Sequence, residues 1–110
     1  MCVVNLKKRV KGPVTAWKLV YFSNRRWEGL QGFRYKIGKL HTTNKAKGFQ
    51  AFVNREDAEQ ARREKWEGFA VRKVLLYNAA QGIIEHMDGF SDGKQGWSAL
   101  KIRLLKFRKN

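Results

Sequence analysis

A chain of 110 residues, 43% hydrophobic and 13% aromatic, is long enough for one domain with a modest core and too aromatic for a disordered segment. It carries 24 Lys and Arg against 9 Asp and Glu, a net charge of +15, well beyond the modest excess that solubility requires. One cysteine, Cys2, excludes an internal disulfide and a cysteine metal cluster, and no apolar run approaches the ~18 residues of a membrane span.

In chain order, residues 1–13 open with a short apolar start and the basic group Lys7, Lys8, Arg9 and Lys11, closed by Gly12-Pro13. They read as an edge strand or a basic arm. Apolar before basic is the reverse of a signal peptide, so the expected location is the cytoplasm. Residues 14–22 are β-branched and aromatic without glycine, the first clear strand, and Ser23-Asn24 is a turn signal. The next loop carries Arg25, Arg26 and Trp27. Phe33, Tyr35 and Ile37 alternate with Arg34 and Lys36, which predicts a half-buried strand ended by Gly38. Residues 40–43 and 49–53 read as short strands around a basic turn.

The single helix is predicted from Asn54 onward. Asn54 suits an N-cap, Glu56 and Asp57 fall in the first turn, and Gly68 suits a stop. Its stripe, Ala58 and Ala61, is thin and small, so the helix should lie close against a sheet. Residues 69–77 form the next strand, 78–82 a turn, 83–87 a short strand and 88–96 a glycine-containing loop. In the last strand, 97–107, Leu100, Ile102 and Leu104 alternate with Lys101 and Arg103, and a basic tail follows with Lys106, Arg108 and Lys109. Connections this short require antiparallel pairing. The expectation is one α+β domain over 1–110, with a largely antiparallel sheet of five to seven strands, open or curled into a partial barrel. One helix packs on one face of it.

The charge is unevenly distributed. Five of the nine acids lie within 54–67, and the rest of the chain carries 20 basic and 4 acidic side chains. Clustered Lys and Arg gain by releasing counterions from phosphates, so the composition points to a polyanion. Basic and aromatic residues coincide at Trp17-Lys18, Arg25-Arg26-Trp27, Arg34-Tyr35-Lys36 and around Trp97 with Lys101 and Arg103. That combination pairs phosphate-binding charge with flat surfaces for bases. In these groups Trp17 and Tyr35 are expected to face the core with their basic neighbours outside, and Trp27 to lie at the surface.

Chemistry-bearing motifs are few. His41 reads as a structural histidine at a strand end. Glu85, His86, Asp88 and Asp92 are close in sequence, but neighbours in a strand point oppositely and no metal is expected. Gly89 to Lys94 is one residue short of a phosphate-binding loop and lacks a following helix. No catalytic residue and no cofactor is expected.

Two resemblances bear on the reading. Lys47-Gly48-Phe49-Gln50-Ala51-Phe52-Val53, followed by Glu56-Asp57-Ala58, is similar to the aromatic strand motif of RNA-recognition domains. Residues 23–46 lack the helix that family places between its first two strands, so Phe49 and Phe52 read as sheet aromatics beside a helix. Over a longer stretch, Ala16-Trp17-Lys18-Leu19-Val20, Tyr35-Lys36-Ile37-Gly38-Lys39, Gly48-Phe49-Gln50-Ala51-Phe52 and Glu56-Asp57-Ala58 resemble small uncharacterised bacteriophage accessory proteins. Gln50 stands where they usually carry His. The resemblance implies a phage setting, hence a bacterial cytoplasm, and no activity.

The expectation is a non-enzymatic protein binding the phosphate backbone of DNA or RNA through Lys7, Lys8, Arg9, Lys11, Arg25, Arg26, Trp27, Arg34, Lys36, Lys101, Arg103, Lys106, Arg108 and Lys109. The alternative is a host-takeover inhibitor, such as an anti-CRISPR or other anti-defence protein, docking on an acidic nucleic-acid-binding surface of a host complex. A degenerate transferase-like enzyme comes third.

Overall fold

Two strands, β7 (Ala70–Glu85) and β8 (Gln95–Leu104), form a long antiparallel ribbon, and most of the remaining sheet is laid along its two edges. The structure, a computed structural model, describes residues 2–30, 33–44, 48–85 and 91–106. Along the outer edge of β7 run β1 (Cys2–Val4) and then β2 (Val14–Ser23), with Val3 opposite Ile84, Val14 opposite Leu76 and Val20 opposite Ala70. Between them the chain stays attached: the Lys7 N–H donates to Gln81 O at 2.9 Å, and Val10 bridges to Ala79. Along the outer edge of β8 run β5 (Leu40–Thr42) and β6 (Phe49–Phe52), with Leu40 opposite Arg103 and Phe49 opposite Ala99.

The sheet curls until β2 meets β6, where Trp17 lies opposite Phe52, giving a partial ring in the order β2, β7, β8, β6. From the other end of β2 the sheet continues into β3 (Arg26–Gly29) and β4 (Arg34–Tyr35). All these pairings are antiparallel; short connections require it for β2–β3, β3–β4 and β7–β8, while the others join strands distant in the chain. The fold is α+β, a largely antiparallel sheet with one helix packed on it, as the patterning predicts; the sheet has eight strands rather than the expected five to seven.

Strand alternation builds two cores. Inside the ring Ala16, Val20, Phe49, Ala51, Val74, Leu76, Ile102 and Leu104 are buried together with Tyr35. On the outside, α1 (Arg55–Glu64) sets Ala58 and Ala61 against Leu19 and Phe52, with Trp17, Trp66, Phe69 and Val71 around them. The two alanines let the helix axis approach the sheet closely. Burying a Leu or Phe this fully contributes about 1.5–3 kcal/mol.

The predicted turn at 78–82 and separate strand at 83–87 are instead the second half of β7, as far as Glu85; residues 86 and 87 lie outside the described residues. Asn78 adopts φ 51, a left-handed conformation that asparagine tolerates, and pairing resumes at Ala79 opposite Ala99. Across it the inward phase shifts from Val74 and Leu76 to Ala79. Gly82 is needed for close approach, because a Cβ there would strike the Val4 backbone oxygen. The residues that imitate a turn are those that let a long strand bend and pack.

Candidate nucleic-acid interface

In the first half of β7 Val74 and Leu76 point into the ring, so Lys73, Leu75 and Tyr77 lie on the outer face. On β8 the inward Ile102 and Leu104 place Lys101 and Arg103 on that same face, where Arg103 lies opposite Leu75 and Lys101 opposite Tyr77. On β2 Trp17 lies opposite Lys73. Helix α1 packs over Leu19, Phe52 and Val71; Lys73 and Lys106 are exposed, and Lys101 and Arg103 are half-buried.

The acids do not reach it. Within α1, Arg55 pairs with Glu59 at 3.8 Å, Arg62 with Glu59 at 3.5 Å and Arg63 with Glu56 at 3.2 Å, while Asp57 meets Lys94 at 3.9 Å. Lys73, Lys101, Arg103 and Lys106 pair with no carboxylate among the described residues. The Nε–H of the half-buried Arg103 is shielded from water and has no acceptor among the described residues. Four cations on one surface without counter-charge repel one another, and a bound polyanion relieves that repulsion.

At one end of this face the sheet, the start of α1 and the segment after β8 enclose an open groove of about 620 Å³. Trp17, Arg55, Val71, Arg72, Lys73 and Lys106 line it together with Leu105, and among the described residues no carboxylate does. The Arg55 guanidinium lies over the Trp17 ring, 5.2 Å from its centre. Arg72 lies 4.9 Å from the centre of the Trp27 ring and donates from Nη2 to Leu105 O at 2.7 Å. Burial pushes the Arg72 pKa below its ordinary value, and an arginine remains charged through such a shift.

The other expected binding residues are dispersed. Lys7, Lys8 and Lys11 are exposed beside the second half of β7, away from the groove. Arg9 is half-buried and structural: its Nη1 donates to Asn78 O at 2.8 Å and Ser98 O at 2.9 Å, tying down the bend in the ribbon. Arg25 and Arg26 are exposed at the β2–β3 turn. Trp27 is not the free surface aromatic expected; it is half-buried against the ring interior, with Arg72 over it and Phe22 beside it at 5.1 Å. Arg34 is matched by Glu28 at 3.5 Å, which also accepts from the Tyr21 hydroxyl. Lys36 is exposed beside buried Tyr35. Arg108 and Lys109 lie outside the described residues.

The expected order at Trp17-Lys18 is reversed. Trp17 faces outward toward α1 and the groove, and Lys18 is buried inside the ring. Lys18 Nζ donates to Gln50 O at 2.6 Å and lies 5.7 Å from the centre of the Tyr35 ring. Burial pushes its pKa down to about 8. Both faces of β2 are covered, so hydrophobicity alone does not set its phase there.

His41 is structural. Its Nε2 accepts the Lys36 N–H at 3.0 Å, and its ring meets those of Phe33 and Tyr35 edge-on. Its pKa is lowered, chiefly by burial. His86, Asp88 and Gly89 lie outside the described residues. Among the described residues no three His, Cys, Asp or Glu side chains come together in a metal-binding arrangement. Strand β8, not a helix, follows the turn at Gly93 and Lys94. No helix among the described residues is long and apolar enough to cross a membrane.

The residues that sequence patterning missed are Arg55, Arg72, Lys73 and Tyr77. A signal was present at Arg72-Lys73: two consecutive cations in a strand must fall on opposite faces. Comparison with protein-family models, curated proteins and solved structures found no match.

Proposed function

We propose that this chain is a non-enzymatic nucleic-acid-binding protein whose docking surface is the outer face of β7 and β8. The observation that carries the reading is the set Lys73, Lys101, Arg103 and Lys106, unmatched by any carboxylate among the described residues and interleaved with Trp17 and Tyr77. Such a surface binds phosphates by counterion release and offers flat rings to bases. The acids concentrated on α1 and beside it disfavour a polyanion there and favour one orientation.

Mobility-shift and anisotropy titrations with short DNA and RNA test this across a salt series. Four phosphate contacts give a log–log slope of roughly −3 to −4 on duplex DNA. Failure to bind any naked nucleic acid at low salt overturns the reading and favours a protein-directed inhibitor.

A further inference from the structure

We infer that the groove beside Trp17 is a subsite for one unstacked nucleotide, so that this face prefers single-stranded nucleic acid to duplex. The inference rests on the nucleic-acid reading above and adds the form of the ligand. At about 620 Å³ the groove falls within the ~300–1,000 Å³ range of pockets that enclose small ligands. Its chemistry divides into two parts. Trp17 under the Arg55 guanidinium, with Val71 and Leu105, makes a slot for a flat ring, which can stack on an indole or on a guanidinium plane. Lys73 and Lys106 are exposed on the same groove and supply positive charge for the attached phosphate.

Two contacts pre-organise the site. Arg72, whose guanidinium lies over the Trp27 ring on the opposite side of β7 from Lys73, donates to Leu105 O and so fixes the segment that carries Leu105 and Lys106 along the groove. Arg55 is aligned on Trp17 and steadied by Glu59. The exit from the groove is also marked. From Lys73 the outer face leads to Arg103 and then Lys101, two residues apart on β8 and so about 6.8 Å apart. An extended single strand can present successive phosphates at such a spacing. A duplex keeps its bases stacked inside and cannot place one in the groove without flipping it out, which costs a few kcal/mol.

The test compares an oligothymidylate of about 12 nucleotides with the same strand annealed to its complement, by fluorescence anisotropy at fixed low salt. The expected preference for the single strand is about tenfold, equivalent to one base–aromatic stack. Two variants alter the groove without changing charge: Trp17→Leu removes the stacking surface and Leu105→Trp fills the space. Each is expected to bring single-strand affinity down to the duplex level while duplex affinity holds, with thermal melting as the check on folding. If Trp17→Leu does not fold, Leu105→Trp alone decides. Equal wild-type affinity for both forms overturns the subsite, as does Leu105→Trp leaving single-strand affinity unchanged or weakening both forms alike. Thymidine monophosphate competing as well as the oligonucleotide overturns it too, in favour of a small-molecule site. Absence of binding to either form overturns the nucleic-acid reading as a whole, an outcome distinct from binding without strand preference.

Discussion

Lys18 Nζ donates to the backbone oxygen of Gln50, 2.6 Å away, and so ties β2 to β6 across the inside of the ring. No carboxylate accompanies this buried ammonium among the described residues.

Its titration gives a pH signature. The Lys18 pKa falls from an ordinary 10.5 to about 8 on folding because burial penalises the charge. Between these values the unfolded chain binds more protons than the folded one, so stability rises with pH. The penalty is present in full below pH about 8 and is relieved as pH climbs toward the unfolded value, at a slope of up to about 1.4 kcal/mol for each step of one in pH. Burial raises the Tyr35 pKa above its ordinary 10.0, so Tyr35 opposes the trend at higher pH. The clean window is therefore about pH 8–10. Urea unfolding across it should show wild-type stability increasing and Lys18→Met losing that slope. A flat wild-type profile contradicts the buried charged lysine.

The basic residues should separate by face. Replacing Lys73, Lys101 and Lys106 by Gln is expected to flatten the salt dependence of duplex binding by ~0.9 per lost phosphate contact. Replacing Lys7, Lys8 and Lys11 by Gln should leave the slope nearly unchanged, since they line the other half of β7. The reverse result would move the interface to the N-terminal segment.

Arg9 should behave as a structural residue despite its charge. Arg9→Ala removes donors to Asn78 O and Ser98 O at the bend of the ribbon, for an expected loss of about 2–3 kcal/mol in denaturant unfolding. The salt slope of binding should not move. Unchanged stability with weakened binding would return Arg9 to the interface.

The β2–β3 hairpin turns through Asn24 at φ 51 and Arg25 at φ 63, with Ser23 opposite Arg26. Both central residues are left-handed, a turn that favours glycine second. Arg25→Gly is expected to stabilise the protein by about 1 kcal/mol and to leave nucleic-acid affinity unchanged. A loss of affinity would show that the strained arginine is kept for binding.

Local chemistry made some elements legible in sequence. Asn54, the first-turn acids and the alanine stripe mark α1, and Ile102 and Leu104 against Lys101 and Arg103 set the phase of β8. Trp17 and Lys18 were not legible in the same way, because a strand covered on both faces has no polar side to read. The continuity of β7 was hidden by Asn78 and Gly82, whose roles depend on Ala99 and Val4, distant in the chain. Lys101, Arg103 and Lys106 were identifiable as candidates, but their neighbours Trp17, Arg55 and Lys73 join them only through register and closure of the ring.

The same topology dictates what happens while the chain is being synthesised. Strands β1, β2, β5 and β6 emerge before either strand of the ribbon that pairs with them, so Cys2 must wait for Glu85 and Phe49 for Ala99. Until β8 is complete, the open edges and apolar side chains of β2 and β6 are available to other chains, the usual route to aggregation for slow, non-local sheets. Lys7, Lys8, Lys11, Lys18, Arg25 and Arg26 bracket β2 or sit within it during that interval, with no acid before Glu28 to offset them. Nascent copies therefore repel one another while the most adhesive strand waits for its partner.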